Sequence, residues 1–237
     1  MSDALLVITP VAVPFVGAVL ALLLRERVAA ARGVGMVTLV TLAVLSLALF
    51  RRTAGGARLV GSVFGGWPQA FGIGFSASLP GAALVLVTAL VALACAIYAL
   101  SDIGPRRRRA GYDALMLAMI GAVNGAFLTD DLFNLYVWFE LALISALGLL
   151  TIDRRRTQID GAIRYAAFGM LAATFILIGV AMIYGIAGTL HIAAATAALA
   201  NQPPGFASAV AAALLLGGFA LKSGLAPFHL WLPASYH

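Results

Sequence analysis

Two residues of this chain are chemically out of place. Glu140 lies inside the apolar run LFNLYVWFELALISALGLL (132–150), and Lys222, the only lysine, lies inside AAALLLGGFALKSGLAPFHLWLP (211–233). Glu140 is nine residues into its run, about 13 Å at the helical rise, close to the middle of a hydrocarbon core about 30 Å thick. Lys222 falls near the centre of its own run. A charge at that depth costs at least about 2.5–3.5 kcal/mol and normally faces a bundle interior, paired, on an ion or proton path. An amine in a low-dielectric site holds its proton less firmly, and a carboxylate beside it restores the hold. Moving or neutralising that carboxylate therefore switches the amine between keeping and releasing a proton. The plainer reading is an ion pair that only ties helices together, but desolvation offsets most of the attraction in such a pair. The relay is the expectation.

The residues around the pair extend it. Ser223, Gly224 and Pro227 follow Lys222 closely. Pro227 has no N–H, so the carbonyl opposite it, that of Ser223, is expected to lose its helical partner and the helix to break there. Broken helices at mid-depth line cavities and are where transporters place ion sites. His229, seven residues after Lys222, and His237 at the chain end are candidate further proton carriers. Tyr136, one turn before Glu140, either hydrogen-bonds toward it or simply packs in the core, and a tyrosine in a helix core more often packs. Asp130 and Asp131 sit between two apolar runs. They form either an outer cation entry or a helix cap, and acids at a helix N-terminus favour the cap. Asn124 and Asn134 are buried amides expected either to bridge helices or to hold water. His191 reads as an inert loop residue, and Trp67 and Phe71 as an interfacial aromatic cap.

These residues need a membrane scaffold. Of 237 residues, 63% are hydrophobic and 10% charged, against about 45–50% and 25% in a soluble domain. The mean hydropathy is +1.05. Disorder is excluded, and one cysteine excludes a disulfide framework or a cysteine-based metal site. The runs are too long for barrel strands and show no alternation. The chain is therefore expected to be an all-α polytopic transmembrane bundle of about seven spans: 4–24, 34–50, 80–100, 112–129, 132–150, 161–187 and 207–231. The first run lacks a basic start and a cleavage site, so it reads as a retained helix.

The net charge of +6 is almost wholly arginine, clustered between spans, which points to orientation in a bilayer rather than to nucleic acid. The loops after spans one, three and five hold Arg25, Arg27 and Arg32, Arg106 to Arg109, and Arg154 to Arg156. The other side holds Arg51, Arg52 and Arg58. The expected arrangement in the cell membrane is N-terminus outside, with the three basic loops cytoplasmic. There is no phosphate-binding glycine loop, no nucleophile elbow and no metal-spaced His/Asp cluster, and no cofactor is expected.

The stretches GGWPQAFGI (65–73), NGAFLTDDLFNLYVWFE (124–140) and LKSGLAPFHLWLPASYH (221–237) together resemble the antiporter-like membrane subunits shared by respiratory complex I and Mrp-type sodium/proton antiporters. LFNLYVWFE with YGIAGTL (184–190) resembles the D-type branch of the Mrp subunits most. The resemblance implies a fold of about fourteen helices with two inverted five-helix repeats, in which Glu140 on span five and Lys222 on a broken span seven are the proton-path pair. It implies exchange of sodium for protons inside a hetero-oligomer of related membrane subunits. The same module in a redox-driven proton pump, and a silent scaffold, are the alternatives. On this reading, residues 1–111 hold spans one to three and 112–237 hold spans four to seven, most of the first repeat. The second repeat lies outside the chain, which is then expected to be the front half of a longer subunit, unable to complete a path alone.

Overall fold

The computed structural model describes residues 2–56, 58–61, 72–203 and 205–235. Trp67, Phe71 and His237 lie outside them. The bundle is helical: α1 (Asp3–Leu23), α2 (Val28–Thr53), α3 (Leu79–Asp102), α4 (Pro105–Arg109), α5 (Tyr112–Leu128), α6 (Leu132–Leu150), α7 (Arg156–Ala187), α8 (Ile192–Ala200), α9 (Phe206–Ser223) and α10 (Trp231–Ser235), with a 3₁₀ turn at Phe228–Leu230. Among the described residues six helices are long and apolar enough to cross a membrane, and α5, at 17 residues, is a shorter apolar seventh. Leu23, Val37, Tyr98 and Leu216 are among the large apolar side chains left on the outside, as a lipid-facing surface requires.

Where the structure departs from the expected spans, local chemistry explains it. α2 and α7 extend by several residues through arginine-bearing turns whose long side chains reach water. The run 188–202, expected to be loop, contains α8, because alanine dominates it. The span expected over 207–231 is cut at Ser223. Two short strands, β1 (Leu59–Val60) and β2 (Ser76–Ala77), pair antiparallel in register Leu59 with Ala77, a small addition to an otherwise helical fold.

α5 is the hub, packed on α1, α3 and α6, while α7 carries α9 and α10. The join of α1 to α5 is specific. Pro14 has no N–H to give the carbonyl of Pro10, four residues earlier, and the buried Asn124 side chain of α5 donates to that carbonyl at 2.9 Å. The expected bridging role of Asn124 is thereby seen. Pro10 similarly frees the carbonyl of Leu6, which the Thr9 hydroxyl reaches at 3.3 Å.

Backbone bridges knit the face opposite the arginine-rich loops. Phe75 pairs with Thr129 and Asp131 with His191, and the N–H of Ile192 donates to the carbonyl of Asp130 at 2.8 Å. The loops before α3, α6 and α8 are thus tied to one another.

Candidate proton-relay site

α6 presents Phe139 and Glu140, and α9 presents Lys222 in its last turn. The close approach of α7 and α9 sets the position of that turn. At Gly218 a Cβ would come within 3.0 Å of the Ala172 carbonyl, so the small residue lets the two backbones meet.

α9 ends in a Schellman arrangement. Gly224 takes φ +63°, its N–H donates to the Leu221 carbonyl at 3.3 Å, and the Leu225 N–H donates to the Ala220 carbonyl at 3.0 Å. The break expected from Pro227 is therefore made three residues earlier by Gly224, because glycine alone adopts this backbone without cost. Pro227 lies in the connection that follows. Lys222 consequently occupies the middle of its apolar run but the end of its helix. After the break the chain folds back on α7. The Trp231 ring lies 5.2 Å from that of Tyr165, and its indole N–H donates to the Leu221 carbonyl at 3.2 Å. The Ser235 hydroxyl donates to the Gly161 carbonyl at 3.2 Å.

Lys222 Nζ stands 3.4 Å from Glu140 Oε1, with the side chains 16% and 25% exposed. It also lies 5.4 Å from the centre of the Phe139 ring, within cation–π range. A cavity of about 190 Å³ adjoins it, lined by Lys222 together with Phe139, Tyr165, Gly169 and Trp231. That is space for several waters. The pair, 82 residues apart in sequence, thus meets beside a cavity at a helix break. The chemical capacity of this arrangement is proton exchange between an amine, a carboxylate and water. Sequence reasoning missed Phe139, Tyr165 and Trp231. Phe139 adjoins Glu140 in the chain, but no spacing marks the two aromatics that converge from α7 and α10.

The other candidates are placed differently. His229 sits exposed on the 3₁₀ turn, and among the described residues no hydrogen bond or ion pair joins it to Lys222; the break turns it away from the shared face a continuous helix would give. Tyr136 stacks on Phe133 at 5.9 Å and makes no described hydrogen bond to Glu140. Asp131 is the N-cap of α6, accepting from the Asn134 N–H at 2.7 Å, so the capping reading is the one seen. Burial pushes its carboxyl above the ordinary value, against the N–H groups of Asn134 and Phe133 that hold it down. Asp130 is no open entry. It accepts from Arg58 at 2.5 Å and from the Ser76 hydroxyl at 2.7 Å. Asn134 donates to the Thr129 hydroxyl at 3.0 Å. Among the described residues no cluster has the composition of a metal site.

Comparison with known proteins bears on the fold. Residues 129–237 match the family described as NADH:quinone oxidoreductase/Mrp antiporter, TM. The chain is 34% identical over 173 residues to a Na(+)/H(+) antiporter subunit of Bacillus subtilis, covering 73% of this chain and 35% of that protein. It is 34% identical over 247 residues to a probable K(+)/H(+) antiporter subunit of Rhizobium meliloti, covering 100% of this chain and 45% of the relative. Both relatives are of the D type. The solved structure of the Mrp complex from Dietzia sp. superposes with a TM-score of 0.88 at 31% identity, over 99% of this chain and 43% of that one. The chain spans less than half the length of each of these relatives. Over residues 129–237 it belongs to the NADH:quinone oxidoreductase/Mrp antiporter transmembrane family, and along nearly its whole length it has the fold of a membrane subunit of that family.

Proposed function

We propose that this chain forms part of a proton-translocating subunit in a multisubunit monovalent cation/proton antiporter, and that Glu140 and Lys222 hand the proton on. The observation that carries this is the Lys222 Nζ to Glu140 Oε1 contact of 3.4 Å beside the 190 Å³ cavity at the end of α9. Lys222 takes its proton from water in the cavity while Glu140 is charged and close. It returns the proton when the carboxylate moves or is neutralised. Transport coupling needs a pair that changes partners, and one long contact in hydratable space supplies it. The substrates are protons and a monovalent cation, sodium on the likeness to the first relative and potassium on the second. The partners are other membrane subunits of the same assembly.

The orientation proposed is N-terminus outside, with the arginine-rich loops after α1, α3 and α6 in the cytoplasm. Residues 112–237 hold the translocating part, and α1 to α3 buttress it through α5.

The test is made in the assembled complex in vesicles. Glu140→Gln and Lys222→Ala, separately, are expected to abolish cation-dependent proton flux with assembly intact. Normal flux in both would leave a scaffold role only. The family description also covers NADH:quinone oxidoreductase, and flux that follows electron donors rather than a sodium or potassium gradient would move the same site into a redox-driven pump.

A further inference from the structure

A second surface of the bundle has the form of a binding site. α3 and α6 both flank α5, and between them runs an apolar groove of about 400 Å³. Val87, Val91 and Cys95 wall it from α3 at spacing i, i+4 and i+8, one stripe of one helix face. The floor comes from α5 through Met116, Met119 and Val123. Val87 and Val91 are 56% and 57% exposed, so the groove opens outward.

Its length and its ends are specific. Tyr112 closes it at one end and Val123 lies at the other. The eleven-residue step between them along α5 is about 16 Å, half of a hydrocarbon core about 30 Å thick. The groove therefore matches the depth of one leaflet, running inward from the loop end of α5. The Tyr112 end is the arginine end. Arg108 stands 5.9 Å from the Tyr112 ring, and its charge is used internally by Asp113. Arg106 and Arg109, on the α4 turn that leads into Tyr112, are exposed and have no ion pair among the described residues.

We propose that this groove holds one acyl chain of an anionic phospholipid, with its phosphate against Arg106 and Arg109. A groove one leaflet deep fits an acyl chain, whereas a partner's membrane helix would need a face running the full depth. Unpaired guanidinium groups at the headgroup level select negative charge. Neither feature alone names a ligand, but together they fit a molecule with an apolar tail and an anionic head.

The test uses the assembled complex in nanodiscs, with phosphatidylglycerol or phosphatidylcholine carrying a photoactivatable diazirine at mid-chain. The expected result is labelling of peptides 87–95 and 112–123 several-fold stronger with phosphatidylglycerol at equal mole fraction. Arg106→Gln with Arg109→Gln, both exposed and without ion pairs, should lower that labelling to the phosphatidylcholine level. Met119→Trp should fill the groove and remove labelling by both lipids. Equal labelling by the two lipids in the unaltered protein, or a preference that survives the double arginine replacement, overturns the proposal. So does protection of both peptides from either lipid by a partner subunit.

Discussion

Two ion pairs that are largely buried, Arg108 with Asp113 and Lys222 with Glu140, have opposite characters. At the loop end of α5, Arg108 is 4% exposed by side chain and spends three donors on fixed partners. These are the Asp113 carboxylate at 2.5 Å, the Ala99 carbonyl at 2.7 Å and the Ile103 carbonyl at 3.2 Å. Nearer the end of the chain, Lys222 has a single polar contact among the described residues, 3.4 Å long, next to open space. Arginine keeps its charge at any accessible pH and binds through a rigid fork, whereas lysine is a point charge on a flexible stem that can lose its proton. The first pair fixes the α3–α5 turn. The second is built so that its contact can be exchanged. Burial and opposite charge are common to both, so they do not distinguish a strut from a relay. Donor count, contact length and an adjoining cavity do.

The contrast breaks most sharply if the loose pair is given the chemistry of the fixed one. Lys222→Arg preserves the charge and the attraction to Glu140 but cannot release a proton. Proton flux in vesicles is expected to fall at least about tenfold, the loss expected of an essential proton carrier, with assembly unchanged. The reverse change tests the strut. Arg108→Met leaves Asp113 buried without its cation and should cost about 3–5 kcal/mol, read as a lowered unfolding temperature in detergent. Flux per assembled complex should be normal, and adding Asp113→Leu should recover most of the loss. A smaller effect is expected at the helix break. Gly224→Ala places a Cβ at positive φ and into the Leu232 side chain. It should cost about 1 kcal/mol or more and shift the fluorescence of Trp231 as α10 moves off α7.

The smallest effect concerns a surface pair. The hydrogen-bonding Arg107 guanidinium, 2.5 Å away, holds the Asp153 carboxyl below its ordinary value. A lowered carboxyl contributes above the unfolded value of about 3.9 and is lost as pH falls through the lower folded value. Arg107→Gln should therefore loosen the loop after α6 already at neutral pH and flatten its further loosening on acidification, measured by hydrogen exchange across residues 151–156.

Much of this was legible in the sequence. Apolar runs bounded by arginines marked the spans because a bilayer leaves the backbone no alternative to helix over that depth. Glu140 and Lys222 stood out because charge is rare there. What could not be read depends on where helices end and turn. Gly224 rather than Pro227 stops α9, since a left-handed cap forms locally whereas a proline only removes one bond. His229 lost its expected alignment for the same reason. Arg58 meets Asp130 across 72 residues through the β1–β2 ribbon, a pairing that no periodicity encodes. Tyr165 and Trp231 line the cavity only because α10 folds back.

The end of α9 has an electrical consequence. The aligned peptide dipoles of a helix leave about half an elementary negative charge at its C-terminus, and Lys222 occupies the last turn. Its ammonium therefore faces two negative partners, a carboxylate that can swing or be neutralised and a macrodipole that cannot. When Glu140 lets go, the cation still has a fixed counter-field to hold it at mid-depth. An unbroken helix would have carried that field away to the membrane surface, so in the proposed relay the stop at Ser223 gives the proton a resting place between hand-offs.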